Sequence, residues 1–351
     1  MINNTNNLKI EKNYTNSIIA PIGDKCILKR YSQNPILIPE DIPYSSAQVY
    51  NAGITKFNGK YVMVFRNDYD RTKEDYASYA AAGLGFPPVK INIGIAFSDD
   101  GINWEVAPEP CFELKDDDIL RAYDPRLTVI EGRCYMCFAV DTKHGVRGGI
   151  AVTDDFNKFE ILHMTVPDNR NMVLFPEKIN GEFVRLERPF PVYGREEDEA
   201  FDIWMSSSAD CKYWGNHRLL LGAENVPFSN CKIGPAAPPV KTAKGWLTTI
   251  HAVEKVDREI YAWHRNWNKV YYGGIMLLDL EDPSKIIGMC NEPILKPEEP
   301  YELEGMRGEV IFPGGMILED SGEVKIYYGA ADTVECLATA HVDDLLKLCG
   351  G

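Results

Sequence analysis

One carboxylate stands out by its setting. In the run Leu120-Arg121-Ala122-Tyr123-Asp124-Pro125-Arg126-Leu127-Thr128, Asp124 precedes a proline and an arginine. Proline fixes φ and offers no backbone donor. The motif therefore reads as an acid held at the entrance of a strand that begins at Leu127 and reaches toward Val140, not inside the sheet. A single carboxylic acid can serve as a general acid, whereas hydrolytic chemistry usually needs two. The polar residues that follow are of another kind. They are Arg170 and Asn171 in Asp168-Asn169-Arg170-Asn171, Arg188 before Pro189, Lys232 in Asn230-Cys231-Lys232-Ile233-Gly234-Pro235, and His251 after the apolar run Trp246-Leu247-Thr248-Thr249-Ile250. Guanidiniums are planar forks that match phosphate oxygens, and lysine adds a point charge. Such like charges repel unless an anion lies among them. Singly, each residue has a plainer reading: Asp124 as a turn or strand cap, Asn169-Arg170-Asn171 as a polar loop, His251 as a structural histidine.

Composition narrows the classes. The chain has 351 residues and 45% hydrophobic content, enough for one large all-β domain or two smaller domains. Its 18 tyrosines and 6 tryptophans suit β structure and sugar-binding surfaces. A net charge of -15 argues against nucleic acid or an anionic membrane as partner, so a phosphate substrate would need a local basic pocket. The 9 cysteines form no paired framework. Cys134 and Cys137 make a CxxC inside a strand-like run, with no second pair to complete a zinc site; they read as buried thiols in a reducing cytosol. His144, His163, His217, His264 and His341 show no metal spacing. The N-terminal Met1-Ile2-Asn3-Asn4-Thr5 is polar and no run approaches a membrane span. A soluble, cytoplasmic protein is expected.

The elements that must position these residues are short strands. β-rich runs alternate with turn residues along the whole chain, the density of a sandwich, barrel or propeller. A weak repeat selects among these. Ser98-Asp99-Asp100-Gly101-Ile102-Asn103-Trp104 recurs as Thr153-Asp154-Asp155-Phe156-Asn157-Lys158-Phe159 and as Ser208-Ala209-Asp210-Cys211-Lys212-Tyr213-Trp214. Alternating with these copies are hairpin-like turns at Asn58-Gly59, Glu131-Gly132, Asn180-Gly181 and Lys244-Gly245. A period of about 50 residues fits a four-stranded propeller blade, and the length then predicts five blades. The Asp-rich turns are read as blade architecture. Residues 71–89 break the pattern and read as a short helix or lid, Tyr76–Gly83, before Gly85-Phe86-Pro87-Pro88. Val342–Lys347 reads as a closing helix. No linker divides the chain, so residues 1–351 are expected to form a single all-β, five-bladed β-propeller domain.

In order and approximate spacing, these residues resemble glycoside hydrolase family 130, the β-mannoside phosphorylases. The resemblance runs from Asn51-Ala52-Gly53 to Tyr327-Tyr328-Gly329-Ala330-Ala331-Asp332-Thr333, and is most specific at Asp124-Pro125-Arg126 and Gly329–Thr333. It implies a five-bladed propeller, Asp124 as general acid, and a phosphate site of Arg170, Asn171, Arg188, Lys232 and His251. It also implies a mannose site that includes Asn51, Arg66, Asp68 and Asp332, with Tyr123 beside the acid. Asn51 could instead cap a turn, and Arg66 and Asp68 could form a structural ion pair.

The implied reaction is inverting phosphorolysis of a β-mannoside to α-mannose 1-phosphate, with the acid's proton passing through the mannose 3-hydroxyl. Phosphate is already anionic, so no general base is required. No metal or organic cofactor is implied; inorganic phosphate is the co-substrate. Family relatives often form oligomers, so a homo-oligomer is an open expectation. Two departures bear on the substrate. Tyr123 stands where several members carry Glu, and Arg66-Asn67-Asp68-Tyr69 replaces an Arg-x-Glu-Asp run. With the insertion at 71–89 these lean toward the β-1,2-mannobiose or β-1,2-oligomannan branch over the β-1,4 branch. Two rivals remain at this level. One is a hydrolase using Glu304 or Glu309 as base; the other is a sugar-binding propeller without catalysis.

Overall fold

The computed structural model describes residues 27–84, 86–114, 116–190, 200–264 and 267–350. Their strands form five antiparallel sheets arranged in a ring, a five-bladed propeller. Blade 1 comprises Gln48–Phe57, Lys60–Asp68, Ile91–Ser98 and Glu105–Val106, and blade 2 Ile119–Ile130, Arg133–Thr142, Gly145–Thr153 and Glu160–Met164. Blade 3 comprises Asn169–Leu174, Phe183–Pro189, Ile203–Ser208 and Gly215–Leu221. In blade 4, Lys232–Pro235 and Val240–Lys241 share the inner edge of Trp246–Ile260, followed by Trp267–Leu278 and Ile286–Met289. Blade 5 takes Ile311–Leu318, Glu323–Ala330 and Val334–His341 from the end of the chain and Lys29–Arg30 from its beginning. The first strand of each sheet packs against those of its neighbours around the ring.

The turns explain why the sequence breaks where it does. Asn58-Gly59, Glu131-Gly132 and Asn180-Gly181 all have positive φ at both residues, the twist a two-residue hairpin requires. The Asp-rich repeat closes the next connection. Asp100 accepts the amides of Ile102 and Asn103, Asp155 those of Asn157 and Lys158, and Asp210 those of Lys212 and Tyr213. These aspartates are blade architecture, as read. Between blades the core is apolar, with layers such as Phe57, Phe112, Phe138 and Phe156 between blades 1 and 2. Cys134 and Cys137 are buried free thiols within it. Among the described residues no helix is long and apolar enough to cross a membrane. The closing helix lies at Val342–Leu348, and the helix of the 71–89 segment at Lys73–Ala81, slightly earlier than expected.

One expectation is corrected. Asp124 does not precede its strand. The strand runs Ile119–Ile130, and Asp124 and Pro125 lie within it. The reason is a β-bulge: Tyr123 pairs with Ala139 and Arg126 with Cys137, so Asp124 and Pro125 face Phe138 alone. The bulge removes Pro125 from the ladder, the circumstance in which a sheet accepts proline. Likewise Asn169-Arg170-Asn171 is no loop but the start of blade 3's inner strand.

Arg126, next to this bulge, ties the ring together. Its guanidinium donates to the carbonyls of Ala236, Asn51, Pro125 and Pro313, which belong to blades 4, 1, 2 and 5. The side chain is buried, and Phe312 packs on it at 5.3 Å. Replacing it with methionine would leave those carbonyls unpaired at the ring's centre. Arg126→Met should therefore lower stability by about 3–5 kcal/mol, read as a lower denaturant midpoint.

Candidate active site

The bulge of blade 2 has counterparts in its neighbours. In blade 1, Tyr50 pairs with Arg66 and Gly53 with Val64, leaving Asn51 and Ala52 opposite one residue. In blade 3, Arg170 pairs with Arg188 and Val173 with Leu186, leaving Asn171 and Met172 likewise. The first bulged residue is left-handed each time: Asn51 at φ 55°, Asp124 at 52°, Asn171 at 57°. Short polar side chains tolerate this conformation best. Three adjacent blades thus present a polar residue from the same place on the inner strand, and all three line one cavity.

Around the acid the contacts are short. Asn51 Nδ2 donates to Asp124 Oδ1 at 3.0 Å, and Arg66 Nη1 lies 3.5 Å from the same oxygen. Arg66 is clamped by Asp68 through Nε at 2.6 Å and Nη2 at 2.8 Å. Its guanidinium sits 4.6 Å from the Tyr50 ring and 5.0 Å from that of Tyr123. Burial works against the charge of Arg66, but Asp68 and Tyr50 outweigh it and hold the group cationic. Asp68 is buried behind Arg66 and does not line the cavity, so it acts as the structural partner of Arg66. Asp332 does line it and accepts from Arg307 Nη1 at 2.9 Å. Burial raises the Asp332 carboxyl against the pull of Arg307 and Arg66.

The opposite wall is cationic. Arg170 and Arg188 are cross-strand partners on the bulged pair of blade 3, and both line the cavity with Asn171. Arg170 Nη1 donates to the Tyr123 hydroxyl at 3.2 Å, and that hydroxyl donates to Asp141 at 2.6 Å. Burial and then the neighbouring Arg170 push the Arg188 guanidinium down to about 9. Arg188 Nε and Nη2 and Arg170 Nε are buried and meet no partner within the protein. Cationic donors held together without a carboxylate between them form a site for an anion.

Lys232 and His251 stand behind this wall. Arg188 donates to His251 Nε2 at 3.0 Å, so that nitrogen carries no proton. Burial, then Arg188 and Lys232, keep His251 far below its usual range and neutral. Lys232 is lowered by burial and by Arg188, with some relief from Tyr271. Neither lines the cavity, whereas the sequence-derived residues Asn51, Arg66, Tyr123, Asp124, Arg170, Asn171, Arg188 and Asp332 do. Sequence reasoning missed Tyr271, Arg307, Val310 and Phe312, which complete the lining. Burial tends to raise the Tyr271 hydroxyl, but Lys232, Arg307 and Arg188 bring it below its usual value. Glu309, considered as a base, is bound in a fork by Arg258 and lies outside the lining, as does Glu304. No cluster of three or more His, Cys, Asp or Glu among the described residues could hold a metal.

The bulge beneath Asn51 is held tightly. A Cβ on Gly329 would fall 2.3 Å from Asn51 Oδ1, and one on Gly314 2.1 Å from the Ala52 carbonyl, so only glycine fits at either. The Ala52 amide donates to Glu335, a fully buried carboxyl beside Arg126 that the sequence reading overlooked.

The chain is thus a five-bladed propeller whose central cavity sets two acids, Asp124 and Asp332, against a cationic wall. The family follows from comparison. The glycoside hydrolase family 130 model, described as beta-1,4-mannooligosaccharide phosphorylase, matches residues 30–350, and the chain belongs to that family. It is 32% identical to a 1,2-beta-oligomannan phosphorylase of Thermoanaerobacter sp. (strain X514), over 91% of this chain and 98% of that one. It is 31% identical to a beta-1,4-mannooligosaccharide phosphorylase of Ruminococcus albus, over 93% and 92%. Among solved structures it resembles the beta-1,2-mannobiose phosphorylase of Listeria innocua in complex with beta-1,2-mannobiose. There the TM-score is 0.77 and the identity 25%, covering 92% of this chain and 99% of that one.

Glu335 carries a test of the site's electrostatics. Burial, opposed by the Ala52 amide and Arg126, pushes its carboxyl from 4.5 up to about 8. A carboxyl raised on folding contributes stability present below the unfolded value and lost as pH rises through the folded one. Glu335→Gln keeps an acceptor for Ala52 but has no proton to lose. Denaturant midpoints of variant and wild type should therefore diverge between pH 5 and pH 9, with the variant increasingly the more stable.

Proposed function

We propose that the protein catalyses inverting phosphorolysis of β-mannosides, releasing α-mannose 1-phosphate and a shortened sugar. The observation that carries this is the pairing of unpartnered donors on Arg170 and Arg188 with Asp124 across one cavity. Phosphate would lie on Arg170, Asn171 and Arg188. Lys232 would add charge from behind, and neutral His251 would hold the Arg188 fork in place. Asn51, Arg66, Tyr123 and Asp332 would face the mannose, with Asp68 fixing Arg66.

A phosphate oxygen attacks C1 from the face opposite the leaving oxygen, and the C1–O bond breaks as the new one forms. Asp124 supplies the proton that the leaving oxygen takes up, and afterwards regains one from the phosphate ester or solvent. The nucleophile enters as an anion, so no second carboxylate need activate it. The engagement of Glu309 with Arg258 supports this economy. The acceptor linkage is read as β-1,2. Support comes from the Thermoanaerobacter and Listeria relatives named for that linkage, against the Ruminococcus relative named for β-1,4. The whole chain is read as one catalytic domain, and its buried free thiols support a reducing, cytoplasmic setting.

Two outcomes test the reading. With β-1,2-mannobiose, β-1,4-mannobiose and β-1,4-mannosylglucose, mannose 1-phosphate should appear only when inorganic phosphate is present, and fastest from the β-1,2 disaccharide. Free mannose released equally without phosphate would make the protein a hydrolase. Asp124→Asn should lower kcat by about 10²-fold or more while phosphate still raises the thermal midpoint of the variant. In Arg188→Met that phosphate-induced shift should be lost.

A further inference from the structure

The insertion at 71–89 has no part in the chemistry above, yet it reaches the cavity wall. Its helix, Lys73–Ala81, starts with a capping box in which Thr72 and Asp75 satisfy each other's amides. Tyr76 is its buried residue. It joins Tyr50 and Met306 in a small apolar cluster and lies edge-on to Trp263 at 5.9 Å. Tyr50 is the ring beneath Arg66, so one end of the insertion is pinned to the wall near the acid.

The other end is pinned through Phe86. Its ring stacks on the His264 imidazole at 3.8 Å between centroids and carries the Arg307 guanidinium 5.0 Å from its centre. Arg307 also lies 5.2 Å from the Trp267 ring and donates to Asp332. A guanidinium confined by two aromatic rings and a carboxylate points its remaining donors in a fixed direction. One of these, Nε, is buried and has no partner within the protein.

Exposure rises along this line. Asn51 and Asp332 are 4% and 6% exposed; the Arg307 side chain is 32% exposed and Phe86 44%. Arg307 is thus a partly exposed member of the cavity lining, and Phe86, itself outside the lining, packs against it. A sugar extending from the one beside Asp124 toward this side would meet Arg307. We propose that Phe86 and Arg307 form the wall met by the leaving sugar, so that the 71–89 insertion sets the acceptor and chain-length preference. This rests on the phosphorylase reading above. The guanidinium would donate to hydroxyls of the second sugar, and the Phe86 ring would keep it aimed.

The reverse reaction separates this role from the rest of the site. Mannose 1-phosphate is supplied with mannose, β-1,2-mannobiose or glucose as acceptor, and each substrate's KM is measured for wild type, Phe86→Ala and Arg307→Lys. The expected result for Phe86→Ala is an acceptor KM raised about tenfold, a mannose 1-phosphate KM changed by less than about twofold, and weaker discrimination among acceptors. Arg307→Lys keeps the charge without the fork and should also raise the acceptor KM, while the Phe86 variants, which leave the Arg307–Asp332 pair in place, carry the comparison with the mannose 1-phosphate KM. Phe86→Tyr, which keeps the ring, should restore the wild-type acceptor KM. An unchanged acceptor KM in Phe86→Ala, or both KM values rising together, would overturn the assignment. A wild-type enzyme that makes no product from any acceptor would overturn the phosphorylase reading itself.

Discussion

Everything in the funnel depends on a backbone turned to the left at three places. Asn51, Asp124 and Asn171 sit where a regular strand would aim alternate side chains along the sheet, and the bulge re-aims them. Such conformations are disfavoured for any side chain, and persist only when their surroundings over-determine them. Here those surroundings are specific. Arg126 spans four blades with its hydrogen bonds, and Gly314 and Gly329 press their bare backbones against Ala52 and Asn51. The acid's position is thus a property of the ring and not of its own strand.

The cationic wall is the second constraint, and it works in the opposite sense. Arg170, Arg188 and Lys232 gain nothing from one another. Burial and mutual repulsion pull Arg188 and Lys232 down, while His251 is forced to stay neutral. The surrounding rings offset part of this: Phe190 and Phe201 lie within 5.6 Å of the Arg188 guanidinium. An anion placed among these cations would offset the remainder, which is what the proposed phosphate site requires.

The propeller was legible in the sequence because its punctuation is local. Asn-Gly and Glu-Gly hairpins and Asp-centred turns need only neighbouring residues, so their spacing counts blades directly. The order of Asp124, Arg170, Arg188 and Asp332 was legible as well, since the family motif preserves order. The bulges were not, because two residues facing one can be seen only when the partner strand is known. That is why Asp124 was read ahead of its strand and Asn169-Arg170-Asn171 as a loop. Tyr271 and Arg307 lacked a signal for a similar reason. Each enters the funnel from a segment whose local sequence suggests only strand or connection, and tertiary packing alone brings them in. The same packing puts Lys232 and His251 behind Arg188, a depth that chain order does not encode.

The outer strand of blade 5, Lys29–Arg30, pairs with Val334–His341 across nearly the whole chain. This has a consequence for the order of events during synthesis. The fifth blade can be completed only when both of these segments are present. Asn51 belongs to the first blade and Asp332 to the last, and they share one cavity. A nascent chain that stops short of blade 5 lacks Gly314, Gly329 and the Pro313 carbonyl, so the backbone around Asn51 and Asp124 is not yet held and the funnel stays open on one side. Catalytic competence therefore arrives in a single late step, when the final blade zips onto a strand made at the start.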